Sequence, residues 1–156
     1  MSDYRLERAG IEHAPTVAKM VAALLTELSG GSRQLDGAAL LPVAQARLHN
    51  RAEFFAWLAI DRGEEPVGVI TVSTGVAIYA GGTLGTIQEL YVSPAHRSAK
   101  VGQLLLAAAI DAGREAGWNR IEVGAPSAAR WQRTINFYKA NGFTEIGPRL
   151  QRRLAS

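Results

Sequence analysis

The chain of 156 residues is long enough for one ordinary domain with a buried core and too short for two full-sized ones. Its composition, 47% hydrophobic and 20% charged, excludes a disordered chain, and the absence of cysteine excludes disulfides, thiolate chemistry and Cys-ligated zinc and fits an intracellular protein. The net charge of +3 suits a polyanion or a multiply phosphorylated ligand, but the basic residues are dispersed, without the run of like charge that marks a nucleic-acid tail.

The opening stretch, "MSDYRLERAG", is charged from its third residue and lacks the apolar core of a signal peptide. The longest aliphatic run, Leu104 to Ile110, falls far short of the roughly 20 residues that span a bilayer, so the expectation is a cytoplasmic protein with no membrane or nucleic-acid partner. Tyr4 to Arg8 alternates like a first strand. "HAPTVAKMVAALLTEL" then sets Val17, Met20, Val21, Leu24, Leu25 and Leu28 at helical spacing up to a Gly-Gly-Ser break. Asp36 can cap a second helix from Gly37 to His49, which contains Pro42. "EFFAWLAI" and "PVGVITVS" form two strand-like runs joined by the turn "DRGEE", a hairpin pattern.

"GGTLG", Gly81 to Gly85, is expected as a loop; no helix follows it, so it is not a dinucleotide fingerprint. "GTIQELYV" is a further strand. Val101 to Ala116 is an amphipathic helix, with Val101, Leu104, Leu105, Ala108 and Ala112 on one side and Gly117 as its stop. "NRIEVGA" is a strand, "SAARWQRTINFYKAN" a helix stopped by Gly142, and "FTEIGPRL" a last strand. This order gives an α/β (α+β) fold, one domain over residues 1–156, with a mixed sheet and helices on its faces. A ligand is expected where a strand's carboxyl end runs through a loop into a helix.

That place is "SPAHRSAKVGQLLL", Ser93 to Leu106. A helix N-terminus presents unpaired N–H groups and a partial positive charge that favour an anion such as phosphate. Arg97 can fork onto phosphate oxygens, Ser98 adds a hydroxyl, and Gly102 lets the backbone approach its ligand. The alternative for Arg97 and Lys100 is a solvated loop leading into a helix.

"YVSPAHRSAKVGQLLL" resembles the acetyl-CoA-binding motif of the GCN5-related N-acetyltransferase (GNAT) superfamily: an Arg or Gln, two residues, Gly, one residue, then Gly or Ala. Arg97 and Gly102 match its ends, and Lys100 departs from its middle glycine. "IQELYVSP" is similar to the family's fourth strand, and "RTINFYKANGF" to its last helix, where an Asn and a Phe-Tyr pair precede a Gly-Phe. The resemblance implies an acyl-CoA N-acyltransferase fold: a mostly antiparallel central sheet of six to seven strands flanked by about four helices. It also implies acetyl-CoA as acyl donor, no metal, and transfer of acetyl to a primary amine of a small molecule or peptide by direct attack in a ternary complex. The rival reading is a non-catalytic acyl-CoA-binding regulatory domain.

Carried over residue by residue, the resemblance gives the pyrophosphate to Arg97, Ser98, Ala99, Lys100, Val101, Gly102 and Gln103. The pantetheine falls to the main chain of Leu90, Tyr91 and Val92, and a further cofactor contact to Asn136. Tyr138 matches the tyrosine that protonates the departing thiolate, a role its phenol suits chemically; its alternative is a core tyrosine.

An acceptor ammonium has no lone pair, so a base must take its proton. Glu89, on the strand "GTIQELYV", is the best-placed carboxylate, acting directly or through water; its alternative is a solvated strand-end carboxylate. Because strand side chains alternate, only one of Gln88 and Glu89 faces a given side; if Gln88 faces the substrate, ordered water is the alternative. The main-chain N–H near Val92 is a candidate oxyanion donor. Tyr79 and the segment Leu28 to Leu35 are candidates for the acceptor pocket.

Lys100 has two readings: a side chain turned outward or towards a phosphate, or a strained residue costing roughly 1 kcal/mol if its φ must be positive. His13, His49 and His96 show no metal-ligand spacing, and Trp131, beside Arg130 and Arg133, is expected to pack beneath the last helix, the alternative being to stack on a nucleotide base. An exposed last strand is compatible with a homodimer.

Overall fold

In the computed structural model, residues 3–125 and 128–154 are described. The chain divides into two compact units, Met1–Glu122 and Val123–Ser156. In the first, β1 (Tyr4–Arg8), α1 (Ala14–Leu28), α2 (Gly37–His49), β2 (Phe54–Asp61), β3 (Pro66–Ala77), β4 (Gly82–Val92) and α3 (Val101–Ala116) follow in order, with 3-10 turns at Ile11–His13 and Pro94–Ala99. β5 (Arg120–Val123) straddles the division, and α4 (Ala128–Ala140) belongs to the second unit.

The sheet has the order β1-β2-β3-β4-β5, and β1 to β4 pair antiparallel in succession. Tight turns link β2 to β3 and β3 to β4, whereas β1 is joined to β2 through α1 and α2, and β4 to β5 through α3. Asp61 Oδ1 accepts the Glu65 N–H at 2.9 Å, closing the β2–β3 turn that "DRGEE" foretold. Alternation then sorts the side chains. Ala56, Leu58 and Ile60 join Val69 in a core with Ala14, Val17 and Met20 of α1 and Leu48 of α2. On the opposite face α3 settles against β3 at Gly68, where a Cβ would lie 3.0 Å from Leu105 Cδ1 and 3.2 Å from Val101 Cγ1. That missing side chain brings the start of α3 close to Val92, the residue paired with Gly68 on β4.

The expected helices lie where their signals put them. Asp36 caps α2, accepting the Ala38 N–H at 3.0 Å, and Pro42 is inside that helix. α3 has the predicted bounds and stops at Gly117 in the left-handed region, φ 79. The two 3-10 turns make the helical pieces more numerous than the four expected. Ser127, the expected start of the last helix, lies outside the described residues.

Three expectations are corrected. The sheet has five strands among the described residues, not six to seven. Phe143–Leu150 is not a strand: Gly147 sits at φ 127, Pro148 has no N–H to give a ladder, and Ile146 and Leu150 are exposed. "GGTLG" is not a loop throughout, because Gly82 to Gly85 open β4, paired with Ala77 to Thr74. Gly85 is there for space, since a Cβ would meet Trp118 Cζ3 at 2.4 Å. No helix among the described residues is long and apolar enough to cross a membrane.

Candidate active site

The centre of the first unit is a break in the β3–β4 ladder. Val72 pairs with Ile87 and Thr71 with Glu89, so Gln88 is an extra residue on β4, a β-bulge. Simple alternation puts Ile87 and Glu89 on one face. Their partners Val72 and Thr71 are neighbours on β3 and point to opposite faces, and the bulge reconciles the two patterns. Glu89 therefore stands in a cross-strand row with Thr71 and Ala56, on the face that α1 covers. Gln88 is exposed and Glu89 half-buried, which answers which of the two turns inward.

Thr71 is fully buried at 1% exposure, and its hydroxyl makes both of its bonds to one residue. Its Oγ1 accepts the Glu89 main-chain N–H at 3.1 Å and its O–H donates to Glu89 Oε1. Burial pushes the Glu89 carboxyl above the usual carboxylate range, and the Thr71 hydroxyl partly offsets it. A raised pKa makes the carboxylate a stronger base than an exposed one. Thr71 was missed from sequence; the available signal was one hydroxyl within the apolar run "VGVITV", because a buried polar group needs a partner.

Beyond Glu89, β4 runs through Leu90, Tyr91 and Val92, paired with Ile70, Val69 and Gly68. β5 is only four residues long against eleven, and the chain enters it with the Asn119 N–H on the Thr83 carbonyl at 2.9 Å, so it cannot accompany β4 to Val92. The main chain of Leu90 to Val92 keeps an edge on that side, as an extended ligand arm requires.

The loop after β4 is tied down from three sides. The Ser93 N–H donates to the Val67 carbonyl at 2.8 Å, and Tyr4 Oη lies 2.8 Å from His96 Nδ1. Arg97 Nε donates to the Val92 carbonyl at 2.8 Å, while its Nη2 meets Glu27 Oε2 of α1 at 2.6 Å. Glu27 holds the guanidinium charged and raises its pKa. Arg97 thus spends part of its fork on protein partners, which the sequence did not foretell. Ser98 and Ala99 are exposed in the 3-10 turn.

Lys100 follows in the left-handed region, φ 63 and ψ 24. This is the conformation that makes glycine natural here, and the strained reading of Lys100 is the one the backbone adopts. Lys100 is also the N-cap of α3 and makes no side-chain cap. The N–H groups of Val101, Gly102 and Gln103 open the helix; the Val101 side chain is fully buried, so Val101 has only its backbone to offer a ligand. An uncapped sixteen-residue helix behind a left-handed turn fits a phosphate-bearing ligand.

Tyr79, an acceptor-pocket candidate, is exposed just past the end of β3 and donates to Glu122 at 3.2 Å. In the second unit, Tyr138 is buried with its ring edge-on to Phe137 and Phe143, each at 5.2 Å between centroids, and burial pushes its phenol well above the ordinary value. Asn136 is exposed on α4, its Oδ1 accepting from Gln132 Nε2 at 2.8 Å. Trp131 is half-buried on α4 at a kink, φ −125. Among the described residues no cluster of three or more His, Asp or Glu could hold a metal ion.

No curated protein matches the sequence. Solved structures do. An acetyltransferase-like protein of Arthrobacter sp. FB24 shares 27% identity over 96% of each chain with a TM-score of 0.78. One from Clostridium difficile 630 shares 14% identity over 98% of this chain and 99% of its own, TM-score 0.80. An aminoglycoside acetyltransferase from an uncultured soil metagenomic sample shares 18% over 99% and 97%, TM-score 0.75. The model of the acetyltransferase (GNAT) family matches residues 21–143, which takes in the second half of α1, Thr71, the bulge, Arg97 to Gln103 and Tyr138, and the chain belongs to that family.

Proposed function

We propose that the protein is an N-acetyltransferase that moves an acetyl group from acetyl-CoA to a primary amine of a small molecule or peptide by direct attack in a ternary complex. The observation that carries this reading is Glu89: an inward carboxylate, raised in pKa by burial, three residues before the end of β4. Acetyl-CoA supplies an activated acyl group as a thioester. Glu89 takes a proton from the acceptor ammonium, directly or through one water, so that the amine gains the lone pair with which it attacks. The main-chain N–H near Val92 stabilises the negative charge that develops on the carbonyl oxygen. The N–H groups opening α3, with Arg97 and Ser98, hold the pyrophosphate, and the free edge of Leu90 to Val92 holds the pantetheine. Asn136 contributes a further contact.

Tyr138 donates the proton that the leaving thiolate needs. Its assignment rests on the Phe-Tyr pair of α4, which matches the family's last-helix motif. A neighbouring fold acts on aminoglycosides, which fits an amine acceptor for this chain.

The test pairs two measurements on the intact protein. Saturating acetyl-CoA is expected to raise the melting temperature, and thiol release is expected with at least one member of a panel of amines, amino acids and peptides. No shift would remove Arg97 to Gln103 as the cofactor site. A shift with no turnover on any amine would favour the acyl-CoA-binding regulatory domain.

A further inference from the structure

Thr71 is a fully buried polar side chain in the sheet, and both of its hydrogen bonds go to Glu89. A hydroxyl has one proton and two lone pairs. Because Thr71 Oγ1 already accepts the Glu89 N–H, its single proton is free to point only outward along the other direction, at Oε1. That arrangement suits an ionised carboxylate. Were Oε1 to carry the proton, the Thr71 O–H would lose its acceptor inside the sheet, where an unpaired donor is costly. The other oxygen, Oε2, has no hydrogen-bond partner among the described residues.

From this we infer that Thr71 is a positioning residue for the transfer reaction: its hydroxyl locks the Glu89 carboxylate in one orientation, occupies Oε1, and so leaves Oε2 as the atom that receives the proton of the acceptor amine. The inference rests on Glu89 being the base of the proposed reaction. It goes further in assigning a role to a residue that never touches substrate, and in naming the reacting oxygen. The proton balance is simple: the ammonium loses one proton, Oε2 gains it, and Thr71 keeps its own throughout.

The bulge is what makes the lock possible. Opposite Thr71, β4 carries both Gln88 and Glu89, so the Glu89 N–H and its own carboxylate converge on one hydroxyl from the same strand. In an unbroken antiparallel ladder the main-chain N–H would be drawn towards a main-chain carbonyl.

The experiment compares Thr71→Val, which keeps the shape and removes the hydroxyl, with Thr71→Ser, which keeps the hydroxyl, and places each beside Glu89→Gln. Thr71→Val is expected to lower kcat about tenfold with the KM for acetyl-CoA unchanged, and Thr71→Ser to stay within about threefold of the parent. On the Glu89→Gln background, Thr71→Val is expected to cause no further loss. If Glu89→Gln is impaired but Thr71→Val turns over at the parental rate, the positioning role is overturned and the base survives. If Glu89→Gln itself keeps full rate, the base reading fails, and this inference fails with it. A loss from Thr71→Val that persists undiminished on the Glu89→Gln background overturns it as well, by showing a general structural effect. Should Thr71→Val not fold, Thr71→Cys serves in its place: a weaker donor of similar size is expected to lose part of the rate, and full parental kcat would overturn the inference.

Discussion

Arg97 and Glu27 are seventy residues apart in sequence, and their side chains meet at 2.6 Å, with the same guanidinium bonded to the Val92 carbonyl. The pair joins the last turn of α1 to the loop that opens α3. Arg97 is also stacked 5.6 Å over the Tyr91 ring. Its remaining donors are what a pyrophosphate can use without breaking these bonds.

Removing Glu27 tests that competition. Both partners are partly exposed, so the pair contributes little to stability, below about 1 kcal/mol. Glu27→Gln is therefore expected to leave the melting temperature nearly unchanged while tightening acetyl-CoA about two- to fivefold, because Arg97 no longer divides its charge between two anions. Titration calorimetry reads the change; weaker binding would mean that Arg97 serves by holding the loop.

Lys100 at φ 63 gives a second expectation. A side chain there carries strain on the order of 1 kcal/mol that glycine does not, partly offset by glycine's greater freedom when unfolded. Lys100→Gly should raise the melting temperature by up to about 3 °C, and Lys100→Ala should not. Acetyl-CoA affinity measured on the same two variants separates backbone shape from lysine charge: both lose the charge and both should weaken binding if it acts on a phosphate, whereas parental affinity in both would leave only the backbone shape.

Glu89 links activity and stability to pH with opposite signs. Its pKa is raised in the folded protein, so kcat/KM should fall as the pH drops through a value above the ordinary carboxylate range. Folding goes the other way. The folded state holds the proton more tightly than the unfolded chain, so stability is greatest below the unfolded pKa and declines as pH rises through the folded one. Glu89→Gln should abolish the acid limb, reduce kcat by about 10² or more, and melt higher than the parent at neutral pH, with the difference vanishing in acid.

Tyr138→Phe keeps the ring that packs against Phe137 and Phe143. It should fold and melt like the parent, bind acetyl-CoA normally, and lose about 10- to 100-fold in kcat. Unchanged turnover would leave Tyr138 as a packing residue.

Gly85→Ala addresses the fold alone. The new Cβ would press on the Trp118 ring at 2.4 Å, and Gly113→Ala would press on the same ring at 2.5 Å. Each should cost about 1–3 kcal/mol, read as a drop in denaturant midpoint with the slope unchanged.

These glycines also mark where sequence reading succeeds and where it stops. Helix limits were legible because they are local: Asp36 caps its own helix, and Gly117 ends one by adopting a conformation other residues avoid. The Gly-rich stretch that opens β4 reads as a loop in the sequence because its glycines answer to distant residues, Gly81 and Gly82 to Asn119 and Gly85 to Trp118, more than thirty residues on. Phe143 to Leu150 had strand-like composition, but Gly147 and Pro148 interrupt it. The site divided in the same way. Arg97, Gly102 and Tyr138 were legible as candidates through linear motifs, and the left-handed turn at Lys100 as one of two readings of the glycine it replaces. The facing of Glu89 and its dependence on Thr71 were not, because one unpaired residue shifts the alternation by which faces are assigned, and only the partner strand reveals it.

That unpaired residue also sets where β4 can come apart. A strand joined without a break opens from its ends, but Gln88 is a gap in the middle of the ladder. Hydrogen exchange should find its amide among the fast ones in β4, with Gly82 to Ile87 protected as one block and Glu89 to Val92 as another. The second block can then loosen together with the Arg97 loop while the hairpin stays closed, so that the strand end carrying Glu89 breathes with that loop and not with the sheet.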